Sequence, residues 1–214
     1  PIPTKGITPY KRGEKKRSAR DKSYLPFDES ELNAIFEPSR FNALTKPHEY
    51  WVPILGLFTG ARIDELAQLR LKDVRTEGEY TVLEISHTDE TSTKNVASER
   101  TTPLHRDVLA LGFLEYVADV KKVAGAKARL FPYLLETVHG FADVPSEAFA
   151  RHLKAVGVKD GRKVFHSFRS TLNNELTKAG VPEQARNELL GHAHDSTNVV
   201  HYAGRLKPER LYSE

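Results

Sequence analysis

The sequence predicts an α+β chain, mainly α-helical, with a small three-stranded antiparallel sheet inserted. Three observations carry this. Apolar residues recur at helical spacing over most of the chain; between Leu71 and Leu104 the spacing turns strand-like; and Gly60, Gly180, Gly191 and Gly204 stand where the helical patterns stop.

Residues 1–24 carry no periodic apolar pattern and read as an arm or linker. Leu25-Pro26-Phe27 leads into the capping cluster Asp28-Glu29-Ser30-Glu31, after which Leu32, Ile35 and Phe36 recur at helical spacing. His48 to Phe58 is apolar almost all round, which predicts a buried helix, and Thr59-Gly60 breaks it. A third helix is expected from Arg62 to Leu69. Val74, Tyr80, Val82, Leu83 and Ile85 predict two strands joined by a turn at Glu77-Gly78, with Arg100 to Leu104 pairing as a third after a polar stretch. His105 to Val123 reads as one long amphipathic helix. Leu130-Phe131-Pro132 is short and extended, and Pro145 to Val156 is a helix with Pro in its first turn. Helices over about 167–179, 182–190 and 195–203 follow, each closed by a Gly, and 205–214 is a short polar tail. No internal repeat is visible.

The 214 residues include 39% hydrophobic side chains, enough for a core, and 29% charged ones; no apolar run approaches the roughly 18 residues of a membrane span. Without Cys there is no disulfide framework, thiolate chemistry or Cys-based zinc site, which fits a reducing cytoplasm. The opening Pro-Ile-Pro and the lack of any Met lead us to expect a fragment of a longer protein. From Lys5 to Lys22, eight basic residues face only Glu14 and Asp21, a net +6, so the rest of the chain carries −3 of the total +3. Such an arm, with Lys11, Arg12, Lys15, Lys16, Arg17 and Arg20, is either a solvated tail or a segment lying on nucleic-acid phosphates, where each neutralised phosphate releases a counterion.

Several side chains offer chemistry, and singly each has a plain structural explanation. His166 and Arg169, three apart, share a helix face; an imidazole exchanges protons near neutrality and a guanidinium forks onto phosphate oxygens, but both also suit a surface salt bridge. His192 follows a helix-ending Gly191 and Tyr202 lies on a short helix, where a tyrosine is most often core. Arg62 follows a sharp turn after a buried helix, with Asp64 and Glu65 as orienting partners or ordinary ion pairs. Lys94 sits in a polar loop, by default in solvent.

Together these signals resemble the catalytic domain of the tyrosine recombinase (phage integrase) family. The resemblance covers about residues 25–204 and rests on T-G-A-R-I-D-E-L around Arg62, Lys94 in the strand loop, R-T-T-P-L-H at 100–105, H-S-F-R at 166–169, L-L-G-H at 189–192 and V-V-H-Y at 199–202. The ten-residue step from His192 to Tyr202 is one longer than the commonest family form and resembles some phage-type members.

The resemblance implies the tyrosine-recombinase catalytic fold, with 1–24 as a basic interdomain linker, 25–204 as the catalytic domain, 205–214 as a C-terminal tail and a separate DNA-binding domain missing before the arm. It implies DNA strand cleavage and rejoining through a 3′-phosphotyrosyl intermediate, with Tyr202 as nucleophile, Arg62 and Arg169 clamping the phosphate, His166 as base and Lys94 as acid. His192 would bond the phosphate or position Tyr202, and Asp64 or Glu65 would orient an Arg or His. Neither metal, ATP nor other cofactor is expected. The implied partners are double-stranded DNA and three further copies of the chain, with a monomer in isolation, no membrane, and a bacterial cytoplasmic, nucleoid-associated setting. Two other readings share the fold: type IB topoisomerase-like relaxation, which rejoins the same strand, and a non-catalytic DNA-binding module. A zinc hydrolase built on His166, His192, His194 and His201 lacks any H-E-x-x-H motif.

Overall fold

The computed structural model describes residues 23–86, 99–138 and 140–191. Helix α1 (Glu29–Ile35) opens with a full capping box: Asp28 accepts from the Glu31 N–H at 2.9 Å, and Glu31 accepts from the Asp28 N–H at 2.9 Å. A short α2 (Pro38–Phe41), not expected from the periodicity, is started by Pro38 and capped by the Glu37 carboxylate. Helix α3 (Pro47–Thr59) is the buried one, with Trp51, Val52, Ile54 and Leu55 in the core. It ends at Gly60, whose φ of 60° lies in the left-handed region that glycine enters without a Cβ penalty. Helix α4 (Ile63–Ala67) follows, then a 3₁₀ turn at Leu71–Asp73.

The three strands β1 (Val74–Glu77), β2 (Tyr80–Ile85) and β3 (Arg100–Pro103) form one antiparallel sheet in that order. Val74 pairs with Leu83, Leu83 with Thr102, and Ile85 with Arg100. In β3, Arg100 and Thr102 turn inward, with the half-buried Thr101 between them.

Beyond the sheet, the single helix expected from His105 to Val123 is two: α5 (Arg106–Ala110) and α6 (Phe113–Ala124). Gly112, at φ 89°, leaves helical geometry between them, so Phe113 enters the core while Leu111 stays half exposed. Helices α7 (Asp143–Ala155), α8 (Ser167–Lys178) and α9 (Glu183–Leu190) complete the described chain. The helix expected over 195–203 lies outside the described residues.

One packing event places the site. Helix α3 lies against α8, and Gly56 of α3 faces the ring of Phe165, so close that a Cβ there would run into the ring edge. Phe165 and Phe168 belong to an aromatic cluster with Phe27 and Phe149, ring centroids 5.0–6.4 Å apart. Burying each ring contributes on the order of 2–3 kcal/mol. The cluster locks the end of α3 beside the start of α8, which carries Gly60 to Arg169.

Candidate functional site

The centre of the site is Arg169, which is 5% exposed. Its Nη1 donates to the carbonyl of Gly60 at 2.9 Å, and its Nη2 donates to the carbonyl of Leu190. Those carbonyls end α3 and α9, where backbone acceptors lack intrahelical partners. The Leu190 side chain also packs on Gly60, so that a Cβ there would meet it. The three sequence segments T-G-A-R, H-S-F-R and L-L-G thus converge on one guanidinium. Burial lowers the Arg169 pKa to about 10, with the like charges of Arg100 and Arg62 adding to the effect and Glu65 opposing it. Arg169 remains a cation at neutral pH.

Arg62 reaches the same place from the other side of the turn. Thr59 Oγ1 donates to the Leu55 carbonyl at 2.6 Å and accepts from the Ala61 N–H at 3.2 Å, which stiffens the turn. Arg62 then donates its backbone N–H to Glu65 Oε2 at 2.8 Å and its Nη1 to Glu65 Oε1 at 2.6 Å. Its side chain keeps 27% exposure, whereas that of Glu65 keeps 3%. Burial acts to raise the Glu65 pKa, but Arg100, whose Nη2 donates to Oε2 at 2.9 Å, outweighs it together with Arg62, and the pKa falls below its ordinary value.

His166 sits at the N-cap of α8, one turn before Arg169, partly buried, with its ring centroid 5.2 Å from that of Tyr24. Around it Ser167 Oγ accepts from the Val164 N–H, and Thr171 Oγ1 donates to the Ser167 carbonyl while accepting from the Phe27 N–H at 2.8 Å. The segment leading out of the basic arm is thereby pinned along the helix that carries His166 and Arg169.

Asp64 is engaged differently from Glu65. Its Oδ1 accepts from the Phe141 N–H at 2.8 Å and so holds the turn before α7; burial raises its pKa, against the backbone hydrogen bonds from Phe141 and Ala142. Lys94, His192 and Tyr202 lie outside the described residues, as do Lys11, Arg12, Lys15, Lys16, Arg17 and Arg20. Arg100 stands out in the sequence only as part of a strand motif. The signal that could have found it is its alternation with Thr102 onto the buried face, since a buried Arg needs a buried carboxylate.

Among the described residues, Arg62, Arg100 and Arg169 around one carboxylate leave a net positive site. Such a site can hold a phosphate and stabilise charge that grows on it. Among the described residues, no group of three or more His, Asp or Glu side chains is placed to hold a metal ion. Two concavities lie elsewhere: about 220 Å³ beside α3 and α7, lined in part by His48, Val52 and Arg151, and about 340 Å³ lined in part by Leu153, Val158 and Lys163. Neither of these two is lined by Arg62 or Arg169. No helix among the described residues is long and apolar enough to cross a membrane.

Comparison with known proteins bears on the family and the fold. The model of the phage integrase family matches residues 27–208. Among solved structures, the Tn1549 transposon integrase in complex with transposon right-end DNA is 18% identical with a TM-score of 0.55, the match covering 87% of this chain and 64% of that one. The XerH site-specific recombinase bound to its difH substrate is 18% identical with a TM-score of 0.58, covering 89% of this chain and 51% of that one. The catalytic core of lambda integrase is 21% identical with a TM-score of 0.52, covering 82% of this chain and 94% of that one. At these identities the structures speak for the fold. The chain spans less than two thirds of the length of the first two. No curated protein matches it by sequence.

Proposed function

Because the chain belongs to the phage integrase family, we propose that it is the catalytic domain of a site-specific DNA recombinase that cleaves and rejoins strands through a 3′-phosphotyrosyl intermediate. The observation that carries this reading is the convergence of Arg62 and Arg169, 107 positions apart in sequence, on one rigid, net positive site.

In this mechanism the Tyr202 hydroxyl oxygen attacks the scissile phosphorus. A Tyr Oη–P bond forms as the bond from phosphorus to the 5′-oxygen breaks. The phenol, with an unperturbed pKa of about 10, passes its proton to His166, and Lys94 protonates the leaving 5′-oxygen. Arg62 and Arg169 hold the non-bridging oxygens, whose negative charge grows in the transition state. A preorganised donor of this kind is worth roughly 3–4 kcal/mol. His192 bonds the phosphate or positions Tyr202. A 5′-hydroxyl from the partner strand then reverses the step, so one phosphodiester replaces another without ATP or metal.

Residues 25–204 form the catalytic domain in this reading, residues 1–24 are the basic arm along the duplex, and 205–214 are a tail available to a neighbouring copy in a tetramer on DNA. The setting is the bacterial cytoplasm, on the nucleoid. The test is recombination in a buffer with EDTA and without ATP, between two copies of a DNA site chosen from a random library by the covalent complex this chain forms on it. Strand exchange between the two sites is expected. Relaxation of a supercoiled plasmid with no exchange would move the reading to a topoisomerase-like enzyme, and neither product would leave a DNA-binding module.

A further inference from the structure

We propose that Arg100 is a positioning residue for Arg62, acting through Glu65, and that its charge keeps the phosphate site net positive; this rests on the reading of Arg62 and Arg169 as phosphate clamps. Arg100 opens β3, paired in register with Ile85, and its side chain is 2% exposed. Its Nη2 donates to Glu65 Oε2 at 2.9 Å. That oxygen also accepts the backbone N–H of Arg62 at 2.8 Å, while Oε1 accepts Arg62 Nη1 at 2.6 Å. Glu65 is out of reach of bulk water, so its orientation is set by such donors and not by solvent. Any rotation of its carboxylate would carry the Arg62 guanidinium with it.

The charge argument points the same way. A buried carboxylate paired with Arg62 alone would cancel the charge that Arg62 must present to a phosphate. Arg100 shares that carboxylate. Among the described residues, three guanidiniums and one carboxylate leave +2 in the cluster, and Arg169 feels both Arg62 and Arg100 as like charges. A phosphodiester brings one negative charge to the site and gains a second toward the transition state, so the cluster favours the transition state over the ground state. A purely structural role would not need this ion pair, since apolar residues of similar volume often replace a buried pair without loss of stability.

The test uses Arg100→Met and Arg100→Lys in the full chain, with thermal unfolding recorded for each. The first readout needs no DNA: the side-chain N–H resonances of the Arg62 guanidinium by NMR. Met should shift and broaden them, and Lys should return them toward wild type; unchanged Arg62 resonances in the Met variant overturn the positioning claim. The second readout is single-turnover cleavage of a nicked duplex carrying either the ordinary scissile phosphate or a neutral methylphosphonate there. On the phosphate, Met should lose at least about 100-fold in rate while binding stays within about 3-fold, and Lys should stay within about 10-fold of wild type. On the methylphosphonate the Met defect should shrink to under about 10-fold, because one charge no longer needs balancing. Equal losses on both substrates, or a Lys variant as slow as Met, overturn the charge claim. If the Met variant does not fold, Lys decides alone: a loss beyond about 100-fold, or displaced Arg62 resonances, overturns the proposal. If the unaltered chain cleaves no DNA, the reading of the clamps fails, and the Arg62 resonances still decide what Arg100 positions.

Discussion

Arg169 and Gly60 are joined by a hydrogen bond of 2.9 Å, from Nη1 to the carbonyl oxygen, across 109 positions of sequence. The bond ties the helix of the H-S-F-R motif to the turn that precedes Arg62. It makes the two proposed phosphate clamps one rigid unit, and the perturbations below should therefore separate binding, chemistry and stability.

Arg169→Ala should lower single-turnover DNA cleavage at least about 100-fold while leaving duplex binding within a few-fold. It should also cost about 1–3 kcal/mol in urea unfolding, because the Gly60 and Leu190 carbonyls lose a charged donor inside the fold. Cleavage near the wild-type rate would remove Arg169 from the chemistry.

Gly56→Ala tests the packing that sets the site. The added Cβ would run into Cζ of the Phe165 ring, its nearest atom, with Cε1 and Cε2 3.1 Å away on either side. Overpacking of this kind costs typically about 1–3 kcal/mol. Calorimetry should show a lower Tm, and adding Phe165→Leu should recover part of the loss if the clash is its cause. Two losses that simply add would contradict this packing.

The shared carboxylate should show in the pH dependence of stability. Glu65 titrates below its ordinary 4.5 in the folded chain, since Arg100 and Arg62 outweigh burial. A depressed folded pKa contributes stability that is present above the unfolded value and lost as pH falls through the folded one. Glu65→Gln should therefore be less stable than wild type at neutral pH, and the gap should close as the pH drops below about 4.5. A constant gap across that window would mean that the charge of Glu65 contributes nothing.

Much of this arrangement is legible in the sequence because it is local. The capping box at Asp28 and Glu31, the buried apolar run of α3, the stop at Gly60 and the strand-like run of β2 after Gly78 are each written within a few residues. What escapes depends on the tertiary surroundings. The apolar spacing from His105 to Val123 runs on through Gly112, so it predicts one helix where the backbone turns left-handed and makes two. Asp64 and Glu65 look equivalent in sequence. Only the folded chain distinguishes the carboxylate that meets the Phe141 N–H from the one that holds Arg62. Arg100 reads as an ordinary strand residue until Glu65, 35 positions away, is placed against it.

The general-acid role of Lys94 has a chemical test. Lys94→Ala should cleave an ordinary substrate slowly, by about 100-fold or more, and should recover when the leaving 5′-oxygen is replaced by sulfur, which departs with little protonation. An equal defect on the sulfur substrate would assign the proton to another group.

Binding should be electrostatic and weak for this chain alone. Deleting residues 1–22, which contain eight basic side chains, should flatten the slope of log Kd against log salt by up to about 0.9 for each phosphate that the arm neutralises. An unchanged slope would leave the arm as a solvated tail.

The central claim is that Tyr202 becomes covalently joined to DNA. The most direct measurement is mass spectrometry of tryptic peptides after reaction with a nicked duplex whose cleaved fragment diffuses away and traps the adduct. The expected result is a 3′-phosphonucleotide on the peptide containing Tyr202, absent in Tyr202→Phe although that variant still binds the duplex. An adduct that persists in Tyr202→Phe, or one mapped to another residue, would contradict the account.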